Sequence, residues 1–262
     1  MRRIREAAAG KPVVAVGLLA GVALLCACGG GGDAGTAGAP RCTTCADGGS
    51  SATAVVDAAL LASTGNVNPD GFSYPTPAGG YGHSARKGST PGSIIQNFKF
   101  FGYPNADESK GLQTIALIDY YDPCQRRLKL LHLSVAAVWC VPCNQETQAL
   151  VAARAQLGTE QVVIVQALSD GPKMNVPATT SDLKFWIQEN KSNFTEMLDP
   201  NLANFGVFFN AAAVPWNADV DPRTMEILDD GTGYAGTVSA ELQAGIAAAS
   251  KPPDYPIAVQ CN

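Results

Sequence analysis

Leu128-Lys-Leu-Leu-His-Leu-Ser-Val-Ala-Ala-Val138 runs straight into Trp139-Cys140-Val141-Pro142-Cys143, and this junction decides the fold. The first stretch is mostly apolar and contains no Gly or Pro, which predicts a buried strand. Asn144 to Leu157 has helical character and meets Gly158, a stop signal. The two cysteines therefore sit where a strand hands over to a helix, with Cys140 at the helix N-terminus. Unpaired N–H groups and the positive end of the dipole favour a thiolate there. A thiolate is the species that attacks disulfides, so the pair suits a dithiol that cycles with a disulfide.

Two other uses of a CxxC pair are a structural bridge and half of a zinc site. Zinc needs two more ligands at suitable spacing. The only other CxxC pair, Cys42-Thr-Thr-Cys45, lies far upstream in a Gly-rich segment, and neither His83 nor His132 stands at ligand spacing from either pair. No metal and no cofactor is expected. A CxxC set between strand, turn and helix reads as thioredoxin-like redox chemistry.

With these residues placed, the chain resembles the thioredoxin superfamily. Within it, the likeness is to the membrane-anchored bacterial TlpA/ResA-like thiol–disulfide oxidoreductases, over about residues 91–250. A second motif carries the resemblance: Ala213-Val214-Pro215-Trp216, then Asn217 to Asp221, Pro222-Arg-Thr-Met225 and Glu226-Ile-Leu228. It resembles the family's cis-proline strand, the turn after it and the next strand. The resemblance implies a cis Val214–Pro215 bond beside the CxxC. Val214 backbone groups would align a substrate chain, and Trp139 would shield the site and offer an apolar docking surface.

The resemblance also points to an acid that deprotonates the second cysteine. In thioredoxin it lies in the strand before the motif, where this chain carries Ser134, which is no base at neutral pH. In ResA-like proteins a glutamate lies on the helix three residues after the second cysteine. Here that residue is Glu146, one turn from Cys143 on roughly the same face. A solvated glutamate, favoured in the first helical turn by the dipole, is the other reading of Glu146, and both stand open. His132, within the strand, reads as a satisfied core histidine.

The implied activity is two-step thiol–disulfide exchange, with Cys140 attacking and Cys143 resolving. Val141-Pro142 resembles TlpA-type reductases, which keep other extracytoplasmic thiols reduced for cytochrome c or copper-site assembly. Protein thiols or disulfides would be the substrates and an upstream membrane protein the electron donor. The alternative is a binding lipoprotein of the same fold, redox-inactive or copper-carrying. Copper carriers of this fold pair CxxxC with a distal histidine, whereas this chain has CxxC and no histidine after His132.

Arg2, Arg3, Arg5 and Lys11 precede an apolar run from Pro12 to Ala27. At about 16 residues it is shorter than the roughly 20 a membrane span needs, so residues 1–27 read as a signal peptide. Leu25-Cys26-Ala27-Cys28 resembles a bacterial lipobox, which makes Cys28 the lipidated residue and the membrane anchor. Gly29 after it resembles lipoproteins passed on to the outer membrane, facing the periplasm. Residues 28–90, rich in Gly, Ala, Ser and Pro, read as a flexible tether. Residues 91–262 form the thioredoxin-like domain. A net charge of −5 argues against nucleic acid as a partner.

Of eight cysteines, Cys26 leaves with the leader and Cys28 is given to lipid. Cys42 and Cys45 either pair locally or form an auxiliary dithiol. Cys124 with Cys261 is the simplest remaining partition in an oxidising compartment, although sequence alone does not fix connectivity. The other expected strands are 93–101, 114–118, 161–168 and 195–198. Helices are expected at 181–190, capped by Ser181 or Asp182, and at 239–249. Together they give an α/β fold: a central mixed sheet with helices on both faces and an extra βα unit between the CxxC helix and the cis-proline strand.

Overall fold

The computed structural model of the protein describes residues 65–76, 91–158, 162–209, 213–253, 257 and 259–261. Residues 1–27, expected to be a signal peptide, and Cys28, Cys42 and Cys45 lie outside the described residues. β3 (Leu130–Ala137) is buried at all eight positions and sits inside a seven-stranded sheet. β4 (Val162–Asp170) runs parallel to it on one side, and β6 (Trp216–Asp221) antiparallel on the other. β7 (Glu226–Thr232) completes the sheet beyond β6. β5 (Thr195–Leu198) joins β4 in parallel, then β1 (Lys99–Tyr103) and β2 (Gln113–Ala116) follow antiparallel, giving the order β2-β1-β5-β4-β3-β6-β7. A strand covered on both faces favours apolar residues on both, which is why the β3 segment reads as a mostly apolar run broken only by His132 and Ser134.

Among the described residues the α-helices are α1 (Val141–Leu157), α2 (Thr180–Asn190) and α3 (Val238–Ala249). The β3–α1–β4 unit, the antiparallel β6–β7 pair and the closing α3 make the fold thioredoxin-like. The extra unit is α2 with β5, which extends the sheet past β4 and carries β1 and β2 on its outer edge.

The α-helices are distributed differently from the expectation. All three pack on the face that carries Leu130, Ala136, Ile164 and Leu168. The opposite face, with Leu131, Leu133 and Val135, is covered by 3-10 turns and by an aromatic cluster of Phe98, Phe100, Phe205, Phe208 and Trp216. The cause lies in the link from β5 to β6. Pro200 opens a short turn there, and Asn201 and Leu202 adopt positive φ, which an α-helix does not tolerate. Asp199 then holds the turn by accepting from the Asn204 and Phe205 N–H groups.

Other boundaries move for local reasons. β3 begins at Leu130 rather than Leu128, because the Leu128 N–H is spent on Asp122 Oδ2 at 3.1 Å. The cap of α2 is Thr179, not Ser181 or Asp182. Its hydroxyl accepts from the Asp182 N–H while the Asp182 carboxylate accepts from the Thr179 N–H, a reciprocal capping box. Residues 65–76, which the sequence placed in the tether, pack on the domain. Tyr74 is buried in the core and donates to the Ile95 carbonyl at 2.8 Å, and Asn68 donates to the Tyr121 carbonyl at 2.9 Å. An aromatic ring with a polar tip, with Phe72 packed on the core beside it, helps to anchor this loop-like segment.

Candidate active site

Cys140 is the N-cap of α1, with extended backbone and Pro142 in the first turn, where proline's missing N–H costs nothing. Its sulfur accepts from the Cys143 N–H at 3.2 Å and is bonded to Cys143 as a disulfide. The helix therefore starts at Val141, three residues before the predicted Asn144. Cys140 is 3% exposed and Cys143 0%. Only Cys140 borders a cleft of about 290 Å³, lined also by Trp139, Val141 and Asn144. Val141 stands 67% exposed on its rim.

The second motif closes on the same point. The Val214–Pro215 bond is cis, and the Val214 carbonyl oxygen lies 3.6 Å from Cys140 Sγ. The Pro215 carbonyl accepts from the Gly233 N–H at 2.8 Å, tying this corner to β7. Trp139 is held by its indole N–H, which donates to Asp170 Oδ2 at 3.1 Å. Asp170 ends β4 and carries no sequence signal for this role, since only the β3–β4 pairing brings it there.

Beneath the dithiol lies a buried polar row. Asn217, Ser134, Gln166 and Glu196 are successive partners across β6, β3, β4 and β5. Gln166 donates to the Ser134 hydroxyl at 3.1 Å and accepts from the Thr147 hydroxyl and the Trp186 indole. Glu146 reaches onto this row from α1. It is 2% exposed, accepts from Asn217 Nδ2 at 2.6 Å, and has the Ser134 hydroxyl 3.5 Å from its other oxygen. The solvated reading of Glu146 is thus excluded by its burial. The carboxylate lies over the strand position that Ser134 occupies.

Burial pushes the Glu146 carboxyl up to about 7, against the opposing bond from Asn217 and charge of His132; the charge of Glu241 adds to the rise. This has a consequence for stability. A carboxyl whose folded value lies above its usual 4.5 favours the folded state while it is protonated, and that contribution is lost as pH rises through about 7. Glu146→Gln, which keeps the oxygen that accepts from Asn217, should therefore flatten the pH dependence of unfolding. Between pH 5 and pH 8 the wild type should lose about 3 kcal/mol more than the variant. Urea titrations at the two pH values check this, and equal losses would remove Glu146 as a buried titrating group.

His132 is buried, as a core histidine should be, and its Nδ1 meets Asp219 Oδ1 at 2.8 Å. Asn217 and Asp219 were missed as site residues. The signal for them was the alternation in Asn217-Ala-Asp-Val-Asp221, which puts polar groups on one face of a strand. Away from the site, Cys124 and Cys261 are joined as a disulfide.

No protein-family model matches the chain, and none of the curated proteins does. Among solved structures, the fold resembles a Chlorobium tepidum protein assigned as the thiol:disulfide interchange protein DsbE. Identity is 19%, coverage 62% of this chain and 98% of the other, and the TM-score 0.48. The thioredoxin domain of a thiol-disulfide oxidoreductase from Bacteroides vulgatus gives 17%, 60%, 98% and 0.46. StoA from Bacillus subtilis gives 16%, 58%, 98% and 0.41. At these values the likenesses carry no functional weight, and the reading below rests on the residues of the site.

Proposed function

We propose that the protein is an extracytoplasmic thiol–disulfide oxidoreductase that reduces protein disulfides. One observation carries this reading. The Cys140–Cys143 pair sits at the N-terminus of α1, Cys140 faces the cleft and the Val214 carbonyl, and a buried carboxyl lies on the helix turn after Cys143. The Cys140 thiolate attacks a substrate disulfide, forming a mixed disulfide and expelling one substrate thiolate. Cys143 gives its proton to ionised Glu146 and attacks the Cys140 sulfur. This closes the Cys140–Cys143 disulfide and releases the second substrate thiolate, so two electrons pass to the substrate. A membrane-borne dithiol donor restores the pair. Trp139 and the Val214 backbone receive the substrate chain.

Reduction of insulin's interchain disulfides, followed by turbidity with a small dithiol as electron source, tests the activity. Acceleration over the uncatalysed rate is expected, and its absence would leave a redox-inactive binding protein. The reduction potential of the Cys140/Cys143 pair sets the direction in the cell: a value below that of its partners is required of a reductase.

We further propose that residues 1–27 are removed, that Cys28 is lipidated, and that the chain up to residue 64 tethers the domain to the outer membrane on its periplasmic side. Cys28→Ala should move the mature protein from the membrane fraction to the soluble envelope fraction, because one modified residue carries the anchor. A variant that stays with the membrane would replace this reading with an uncleaved apolar helix at 12–27.

A further inference from the structure

Glu146 needs more than burial to serve as an acceptor near neutrality. A carboxyl sealed under a helix with no counter-charge stays protonated and takes nothing from Cys143. The surroundings of Glu146 supply that counter-charge from a direction unconnected with the cysteines. His132 and Ser134 lie two apart on β3, so they share the face beneath α1. Their partners on β6 are Asp219 and Asn217. His132 is 6% exposed and its Nδ1 meets Asp219 Oδ1 at 2.8 Å, while Asn217 donates to Glu146 at 2.6 Å. His132 Nε2 and Asn217 Oδ1 are both buried with no partner within hydrogen-bond distance. The four groups thus form a short file of two bonded pairs, Asp219–His132 and Asn217–Glu146, set side by side across the β3–β6 pair.

The file opens on a second cleft of about 250 Å³, separate from the one at Cys140. His132, Asn217 and Asp219 line its floor, with Asp229 and Asp230 from β7 and Glu241 from α3. Among the described residues, the charged groups that line this cleft with His132 are all acidic, Asp219 on β6, Asp229 and Asp230 on β7 and Glu241 on α3, and Glu146 on α1 acts on His132 as a further negative charge. Burial works against a charged imidazole, but the bond and charge of Asp219, with the charge of Glu146 and the Asn217 amide, outweigh it and hold His132 above its usual value.

We propose that the His132–Asp219 pair is a positioning unit for the exchange reaction: His132, paired with Asp219, sets a positive charge behind the Asn217–Glu146 bond, so that Glu146 accepts the proton of Cys143. This rests on the reading of Glu146 as the acceptor for Cys143. No part of the pair touches either cysteine, and the acidic cleft gives the file its contact with solvent.

A single-turnover measurement separates the two claims. Reduced protein is treated with Ellman's disulfide to place thionitrobenzoate on Cys140, and its release by Cys143 is followed by absorbance from pH 5 to pH 9. In the wild type the release rate should rise with a midpoint near neutrality. His132→Gln removes the cation and should move the midpoint upward by about one pH unit. Asp219→Asn should move it in the same direction, and the double variant should add little to either single one. Glu146→Gln should erase the inflection. If Glu146→Gln keeps the wild-type profile, Glu146 is not the acceptor and the parent reading fails. If Glu146→Gln erases the inflection while His132→Gln and Asp219→Asn leave the midpoint in place, the pair is only structural and this proposal is overturned. Should His132→Gln not fold, Asp219→Asn decides the matter alone.

Discussion

Cys140→Ser is expected to bring insulin reduction down to the uncatalysed rate. The attacking group must be an anion at neutral pH. A thiol of ordinary pKa about 8.5 needs only a modest push, and a helix N-terminus supplies up to about 2 kcal/mol, roughly 1.5 pKa units. A serine hydroxyl lies far beyond that reach, so the same N-cap geometry cannot rescue it. Cys143→Ser should behave differently. Cys140 still faces the cleft and still attacks, but nothing resolves the product, so mixed disulfides accumulate on Cys140. Mass spectrometry under non-reducing conditions would show them. If the trapped adduct appears on Cys143 in Cys140→Ser instead, the two roles are reversed.

Loss of the Cys124–Cys261 disulfide should cost the domain a large share of a typical protein's stability margin. The bridge spans a sequence separation of 137. In the chain-entropy account a loop of that length is worth about 5 kcal/mol, against the 5–15 kcal/mol that domains have in total, roughly speaking. The tail it secures is already guided home. Arg223 Nη2 donates to the Ala249 and Lys251 carbonyls at 2.7 and 2.6 Å, just past α3. The double variant Cys124→Ser/Cys261→Ser should lower the unfolding free energy by about 3–5 kcal/mol in urea titrations. It should leave insulin reduction largely intact at low temperature, because the Cys140–Cys143 disulfide proposed to do the exchange is a separate one. A loss below about 1 kcal/mol would mean that the tail contacts alone hold the C-terminus.

The acidic cleft and the file behind it illustrate what is legible from the chain and what is not. The strand before Trp139, the helix after Cys143, the proline motif and the α/β class all rest on local signals: apolar runs, helix stops and the spacing of two cysteines. Such signals act within a few residues, and a sequence states them directly. The same holds for the acidic net charge and for the short apolar leader pattern. What the sequence left open or missed is of another kind. Whether Glu146 is solvated or sealed depends on which strands lie under α1, and Ser134, Asn217 and His132 come from positions up to 85 residues apart in the chain, as Asn217 and His132 show. The placing of all three helices on one face follows from a turn at Pro200 to Leu202 that no periodicity announces. Burial, and with it the charge state of Glu146, is a property of the assembled sheet: desolvation is set by everything packed around a group, not by its neighbours in sequence. The chain by itself therefore determined where the two sulfurs of Cys140 and Cys143 stand, at the junction of a strand and a helix. The tertiary structure alone decided which buried acid and which charged pair stand behind them.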